Sequence, residues 1–82
     1  MNEDRIWTEL NGVFRDVFDD DSIAVGPGTT AADIPEWDSQ AHISLIVAAE
    51  ERFGVRFRTA EIEGLKDVGD FVRLIHTKVA VA

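Results

Sequence analysis

The sequence predicts a small all-α protein, a bundle of three longer helices and one short helix with a long first loop. Apolar residues recur at helical spacing in three separate stretches, and no stretch alternates convincingly like a strand. The 82 residues are enough for one hydrophobic core and too few for a second domain. We therefore expect residues 1–82 to form a single domain.

The first helix is predicted to begin at Asn2 or Glu3. Acidic residues near its start complement the positive end of the helix dipole. Trp7 is expected at the margin of the apolar face. The face itself advances in helical steps through Ile6, Leu10, Val13, Phe14, Val17 and Phe18.

Residues 19–35 are predicted to form the long loop, because Gly26-Pro27-Gly28 and the polar residues around it favour turns. A loop of this length in a small domain is usually functional or packed by its own side chains. We expect Ile23, Val25 and Ile34 to reach the core. A short helical turn is expected over residues 31–33.

The second helix is predicted over Ser39 to Phe53 and ends at Gly54. Two faces follow the same helical spacing. The face expected to enter the core carries His42, Leu45, Ile46, Ala49 and Phe53. The opposite face carries Gln40, Ile43, Ser44, Val47 and Glu51. This second face leaves an exposed apolar strip, which is a reasonable surface for a partner.

The last third of the chain is predicted to hold one brief and one longer helix. Thr59 is expected to cap the brief helix, over residues 60–64, and Asp67 to cap the longer one. Between the second and the brief helix, Val55 and Phe57 are expected to lie in an extended link. The longer helix is expected to fray over residues 77–82. Its predicted apolar face consists of Val68, Phe71, Leu74 and Ile75.

Composition excludes several classes of function. A net charge of −8 repels nucleic-acid phosphates and anionic lipid, and it favours partners with basic patches. The chain has no cysteine, which excludes disulfides, cysteine zinc sites and a cysteine nucleophile. Because neither a signal peptide nor an apolar run of membrane-spanning length is present, we expect a cytoplasmic protein.

The residues also argue against catalysis and metal binding. A nucleophilic serine needs a base and a group that orients it, and neither His42 nor His76 is expected to complete such a set with Ser39. His42 is interpreted as a partly buried helix residue. The acidic run at residues 19–21 lacks the spacing of a calcium loop and is interpreted as a solvated helix end.

The dipeptide Asp38-Ser39 has two possible roles at the start of the second helix. Either residue could be the N-cap, and an Asp-Ser pair before a helix is common. If Asp38 is the cap, Ser39 takes the first helical position with a free hydroxyl. A phosphodiester there would lie over unpaired N–H groups at the positive end of the dipole. This compatibility favours a phosphate-linked group but does not establish one.

The segment that follows Asp38-Ser39 resembles the acyl carrier protein family. In that family an Asp-Ser pair precedes an apolar helix that ends in paired acids and Phe. The helix predicted here ends in the same way, with Glu50-Glu51 and Phe53-Gly54. The resemblance extends downstream through Phe57, Ile62, Leu65 and Val68-Gly69-Asp70. With the first helix and the loop upstream, it covers nearly the whole chain.

The resemblance implies a four-helix carrier fold in which Ser39 accepts 4′-phosphopantetheine from coenzyme A through a separate phosphopantetheinyl transferase. Acyl groups would be held as thioesters on this arm and presented to acyl-loading and acyl-transferring enzymes with basic patches. Asp38 would aid capping and recognition by the transferase. The residues implied to meet partners are Gln40, Ile43, Ser44, Val47, Glu50 and Glu51.

Some residues depart from the family pattern. Gln40 replaces an expected Leu or Met, and Ala41 and Ser44 replace frequent acids, which makes a specialised pathway more plausible than bulk fatty-acid synthesis. Ala49 replaces a larger aliphatic residue, which either enlarges an inner cavity or is compensated by Trp37 or Phe53. Trp37 is interpreted as a loop anchor. A monomer is expected. An aminoacyl or peptidyl carrier, or an unmodified helical interaction module, stays as an alternative.

Overall fold

A computed structural model describes residues 2–80 and shows an all-helical chain over this range. Helix α1 packs against both α2 and α4. The prediction of three longer helices, one short helix and a long first loop is confirmed. The elements are α1 (Glu3–Phe18), a 3₁₀ turn (Ala31–Asp33), α2 (Ser39–Phe53), α3 (Thr59–Glu63) and α4 (Val68–Ala80).

Helix α1 begins and ends where local chemistry favours it. The Asn2 side chain caps the helix by accepting a hydrogen bond of 2.8 Å from the Arg5 N–H. Asp19 ends it in the left-handed conformation, with a φ of 50°. The buried face of α1 consists of Ile6, Leu10, Val13 and Phe14, whereas Trp7, Val17 and Phe18 are half-buried around it.

The core joins α1, α2 and α4. Helix α2 contributes Leu45, Ile46, Ala49 and Phe53, and the loop adds Val25 and Ile34. The predicted face of α4 was wrong at one position, because Leu74 is half-buried whereas Val72 is completely buried. The buried set on α4 is Val68, Phe71, Val72 and Ile75, which is a regular helical arc rotated by about 40° from the predicted face.

The long loop is fastened to the helices on both sides of it. The Asn11 side-chain oxygen accepts a 2.7 Å hydrogen bond from the Val25 N–H on the α1 side. On the α4 side the Gly69 N–H donates to the Pro27 carbonyl at 3.0 Å. A Cβ at Gly69 would lie 2.7 Å from that carbonyl oxygen, so the contact requires glycine. These bonds fix the loop that leads to α2.

Two predicted boundaries in the last third were wrong. Arg58, not Thr59, is the cap residue of α3, and its N–H donates to the Glu61 carboxylate at 2.8 Å. Helix α4 continues to Ala80 instead of fraying from residue 77, and an ion pair of 3.0 Å joins Lys78 to Glu61. Residues 81 and 82 lie outside the described range. The predicted cap of α4 is confirmed, since Asp67 accepts from the Asp70 N–H at 2.9 Å. No helix between residues 2 and 80 has the length and apolar character needed to cross a membrane.

Candidate functional site

Asp38 and Ser39 lie at the N-terminus of α2, with separate roles. The Asp38 carboxylate accepts a 2.8 Å hydrogen bond from the Ala41 N–H, so Asp38 is the cap. Ser39 is the first helical residue and is exposed. The first hydrogen bond of the helix runs from the His42 N–H to the Asp38 carbonyl, at 2.9 Å. The N–H groups of Ser39 and Gln40 therefore precede the helical ladder and lie at its positive end.

The surroundings of Ser39 supply no machinery for nucleophilic catalysis within the described residues. His42 is the nearest histidine in sequence, but its Nδ1 accepts a hydrogen bond of 3.3 Å from the Trp37 indole N–H. The two rings also stack, with centroids 6.0 Å apart. His76 is an exposed residue of α4. The arrangement gives Ser39 a reachable hydroxyl and no base with an orienting partner.

Trp37 anchors the chain immediately before the site. It is half-buried, and its ring meets the edge of Phe14 at a centroid distance of 5.3 Å and that of Phe18 at 6.5 Å. The indole N–H is satisfied by His42, as a partly buried indole requires. The interpretation of Trp37 as a loop anchor agrees with these contacts. Because Trp37 is fixed, Asp38 and Ser39 are held in place at the start of α2.

Two adjoining concave regions lie beside Ser39. We call the first the outer groove; it is open and is lined by Ala31, Trp37, Asp38, Ser39, His42 and Ile43. We call the second the inner cavity; it has a volume of about 100 Å³ and a mostly apolar lining. The lining of the inner cavity comprises Thr30, Ala31, Trp37, His42, Leu45, Ile46, Leu65, Lys66, Asp67, Val68 and Phe71. Ala31, Trp37 and His42 belong to both regions and form the boundary between them.

Polar contacts join α3 and the link after it to α4, and α3 itself has no buried residue. Glu61 accepts from the Arg58 N–H and from Lys78, and these hydrogen bonds hold the pKa of its carboxyl below the ordinary value of 4.5. The Asp70 carboxylate accepts from the Lys66 N–H at 3.1 Å and pairs with Arg73. The pKa of Asp70 is likewise lowered, first by the Lys66 hydrogen bond and then by Arg73.

The residues expected to meet partners divide into two groups. Ile43 and Val47 are large apolar residues that α2 leaves exposed, at 64% and 47% of their surface. Gln40, Ser44 and Glu51 are also exposed. The side chain of Glu50 is instead only 15% exposed, and its carboxylate accepts a 2.9 Å hydrogen bond from the Phe57 N–H. The expectation that Glu50 presents its charge to partners does not fit this geometry, because the carboxylate supports the link between α2 and α3.

The acidic run at residues 19–21 lies exposed at the end of α1. Asp20 accepts hydrogen bonds from the Ser22 hydroxyl and the Ser22 N–H, at 2.6 and 3.0 Å, which lower the pKa of its carboxyl. Across residues 2–80, no three histidine or acidic side chains gather closely enough to hold a metal ion. The hydrogen bonds between Asp20 and Ser22 make this run a local turn.

Sequence reasoning missed the pairing of Trp37 with His42 and the participation of Ala31 in both concave regions. One signal for the pairing was present, since a half-buried indole N–H needs an acceptor and His42 lies five residues along the chain. Ala31 carried no such signal. Its place at the boundary depends on how the loop returns over α2.

Known proteins resemble the chain over nearly its whole length, although no family model matches it. An acyl carrier protein from Acidothermus cellulolyticus is 35% identical over 75 residues, which cover 92% of this chain and 89% of the relative. An acyl carrier protein from Thermosynechococcus vestitus is 35% identical over 80 residues, covering 98% and 99% respectively.

A solved structure has the same fold. The solution NMR structure of the holo acyl carrier protein from Geobacter metallireducens superposes with a TM-score of 0.88. It is 42% identical in sequence, and the match covers 93% of this chain and 87% of that one. The agreement therefore extends to both sequence and architecture.

Proposed function

Because the chain belongs to the acyl carrier protein family, we propose that Ser39 is the residue that carries 4′-phosphopantetheine and, through it, acyl groups. We also propose that residues 1–82 act as a single carrier domain. One observation above all supports the assignment of Ser39. Asp38 takes the capping role, which leaves Ser39 as an exposed first helical residue with a reachable hydroxyl.

The residues around Ser39 suit a phosphodiester. The N–H groups of Ser39 and Gln40 lie ahead of the first helical hydrogen bond, where they and the dipole of α2 favour negative charge. Asp38 is the nearest acid, and its cap bond to Ala41 holds the carboxylate against the helix. When bound, the phosphopantetheine group supplies a long arm with a thiol that holds acyl groups as thioesters, which this cysteine-free chain does not itself provide.

Loading is a phosphoryl transfer that a separate phosphopantetheinyl transferase would catalyse. The Ser39 hydroxyl oxygen forms a bond to the phosphorus that bears pantetheine, and the phosphoanhydride bond of coenzyme A breaks. Adenosine bisphosphate leaves, and a base of the transferase accepts the hydroxyl proton. This chain needs only to present the Ser39 hydroxyl to the transferase. Ser39 is suited to this because it is exposed at the start of α2 and the neighbouring Trp37 is held in place.

We further propose that the chain carries cargo without transforming it. His42 is engaged by Trp37, so Ser39 has no base beside it among the described residues. The inner cavity gives an apolar group a place out of water next to the attachment site. Partner enzymes would then supply the chemistry, as the carrier relatives suggest.

The exposed side of α2 is our proposed surface for those partners. Ile43 and Val47 form an apolar strip, and Gln40, Ser44 and Glu51 surround it with polar groups. An acidic chain of net charge −8 attracts basic patches and orients them during encounter. Glu50 is left out of this surface because its carboxylate is used within the fold.

Mass spectrometry of the intact protein tests the attachment site. After incubation with coenzyme A and a broad-specificity transferase, we expect the wild type to gain the mass of one phosphopantetheinyl group. Ser39→Ala should gain nothing. The matched control is Thr59→Ala, which removes an exposed hydroxyl from the first residue of α3, outside the proposed partner surface, and should load like the wild type. No gain in the wild type would favour an unmodified interaction module, and a gain that persists in Ser39→Ala would place the group elsewhere.

The rate of the same reaction tests the partner surface. Glu51→Lys should slow loading, and more strongly at low salt than at high salt, because exposed charges act through a screened field. Glu3→Lys makes the same change of charge on α1 and should have a smaller effect. If Glu51→Lys and Glu3→Lys load equally fast at low salt, α2 is not the surface that the transferase meets.

A further inference from the structure

We propose that Trp37, held in place by His42, limits the length of the acyl group that the inner cavity can hold, so that this chain shelters short acyl groups. The inference rests on the proposed function, because it concerns cargo attached through Ser39. It makes Trp37 a specificity-determining residue in addition to a loop anchor.

The position of Trp37 is the first reason. Ser39 lines the outer groove, and among the described residues Ala31, Trp37 and His42 line both this groove and the inner cavity. An arm attached at Ser39 therefore begins beside the inner cavity. Trp37 has the largest side chain of the three shared residues, so its indole takes up most of the space that a longer acyl group in the cavity would need.

The rigidity of Trp37 is the second reason. Its indole N–H is bonded to His42 at 3.3 Å, and the two rings stack. The edge of the indole also packs on Phe14 and Phe18. Turning the indole aside would break the hydrogen bond and leave a gap against two aromatic rings. The indole therefore acts as a fixed wall.

The small size of the cavity is the third reason. Leu65, Val68 and Phe71 also line it, and Phe71 packs on Phe57 with ring centroids 5.4 Å apart. Its volume of about 100 Å³ is smaller than an engineered cavity of roughly 150 Å³ that holds one benzene molecule. With the indole fixed on one wall and packed side chains on the others, a short acyl group fits and a long one does not.

A series of loaded proteins tests the inference. Butyryl, hexanoyl, octanoyl and dodecanoyl derivatives of coenzyme A are used with the transferase to load Ser39, and mass spectrometry verifies each product. The readout is the melting temperature relative to the unacylated arm-bearing protein. A chain that enters the cavity buries apolar surface in the folded state alone and raises Tm, on the order of 5 °C for two further methylenes.

For the wild type we expect Tm to rise from butyryl to hexanoyl and to gain nothing more from octanoyl or dodecanoyl. In Trp37→Ala the rise should continue to octanoyl or beyond, because the wall is removed. Trp37→Phe keeps a ring but loses the bond to His42, and its limit should lie between these two. A purely structural role for Trp37 would lower every Tm alike without moving the limit.

A second pair of variants leaves the loop anchor intact, in case Trp37→Ala does not fold. Ala31→Leu enlarges another side chain that lines both concave regions, takes up space in the inner cavity and should abolish the gain from hexanoyl. Ala32→Leu makes the same change at the adjacent exposed residue, which lines neither concave region, and should behave like the wild type.

The outcomes separate this inference from the proposed function. A failure of Ser39 to load contradicts both. Normal loading with the same chain-length limit in the wild type, Trp37→Ala and Ala31→Leu overturns the role of Trp37 alone. Normal loading with a limit that moves as described supports it.

Discussion

The two sides of this molecule are built differently. On one side, which we call the closed half, α1 packs on α2 and α4 with Ile6, Leu10 and Phe14 completely buried. On the other side, which we call the cavity half, the inner cavity lies beside α2 and the start of α4, and an ion pair joins α3 to α4 although α3 has no buried residue of its own. Polar contacts of Glu50, Glu61 and Asp70 hold the cavity half together.

This difference assigns two physical tasks to two sides of one small fold. The closed half supplies most of the apolar burial and therefore most of the stability. The inner cavity lies between the loop, α2 and the start of α4, and the hydrogen bonds of this half are near water, where local opening costs least. Under the function that we propose, cargo would be taken up and released on this side without disturbing the packing on the other.

The largest expected effect is a difference between the two halves in how much a truncated side chain lowers the free energy of unfolding. Phe14→Ala removes a fully buried ring from the closed half and should lower the free energy of unfolding by about 3–5 kcal/mol. Ile62→Ala truncates a half-buried residue of α3 and should cost only about 1 kcal/mol. Urea unfolding measures both values. Equal losses would contradict the division into two halves.

A smaller loss of stability should appear at acidic pH and should arise in the cavity half. The pKa of Glu61 is lowered in the folded protein, chiefly by the Arg58 hydrogen bond and then by Lys78. A lowered pKa contributes stability that is complete above the ordinary pKa and is lost as the pH falls through the folded value. Glu61→Gln should therefore be less stable near neutral pH and lose less stability than the wild type between about pH 5 and pH 3.

Melting temperature against pH measures that effect. The matched control is Glu63→Gln, which removes a carboxyl from an exposed residue of the same helix. Glu63→Gln should keep the pH dependence of Tm that the wild type shows. If Glu63→Gln and Glu61→Gln reduce the fall of Tm in acid equally, the contacts of Glu61 with Arg58 and Lys78 are not the source of that fall.

Local signals in the sequence predicted the elements whose ends are made by their own residues. The spacing of Ile6, Leu10 and Phe14 and the caps at Asn2 and Asp38 specify α1 and α2, and the structure agrees. The two errors in helix boundaries have different causes. The cap of α3 depends on the Glu61 carboxylate three residues along, not on a capping side chain of the first residue. The last turns of α4 contain Lys78, which reaches Glu61 across the fold.

The candidate site shows the same limit. The motif was sufficient to single out Ser39, because capping by Asp38 and exposure at a helix start are local properties. The internal role of Glu50 was not predictable, since helical periodicity cannot tell a carboxylate that bonds Phe57 from its exposed neighbour Glu51. The boundary at Trp37, His42 and Ala31 also depends on the path of the loop, which no periodic pattern encodes.

The most direct test of the two-sided design compares amide NMR spectra, residue by residue, for two forms of the protein. Both forms carry the arm on Ser39, and one of them also carries a hexanoyl group on the thiol of the arm. Our interpretation predicts shifts at the residues that line the inner cavity, above all Leu65, Val68 and Phe71. It also predicts unchanged signals at Ile6 and Leu10 in the closed half. Shifts confined to the neighbours of Ser39, or shifts that extend through α1, would contradict it.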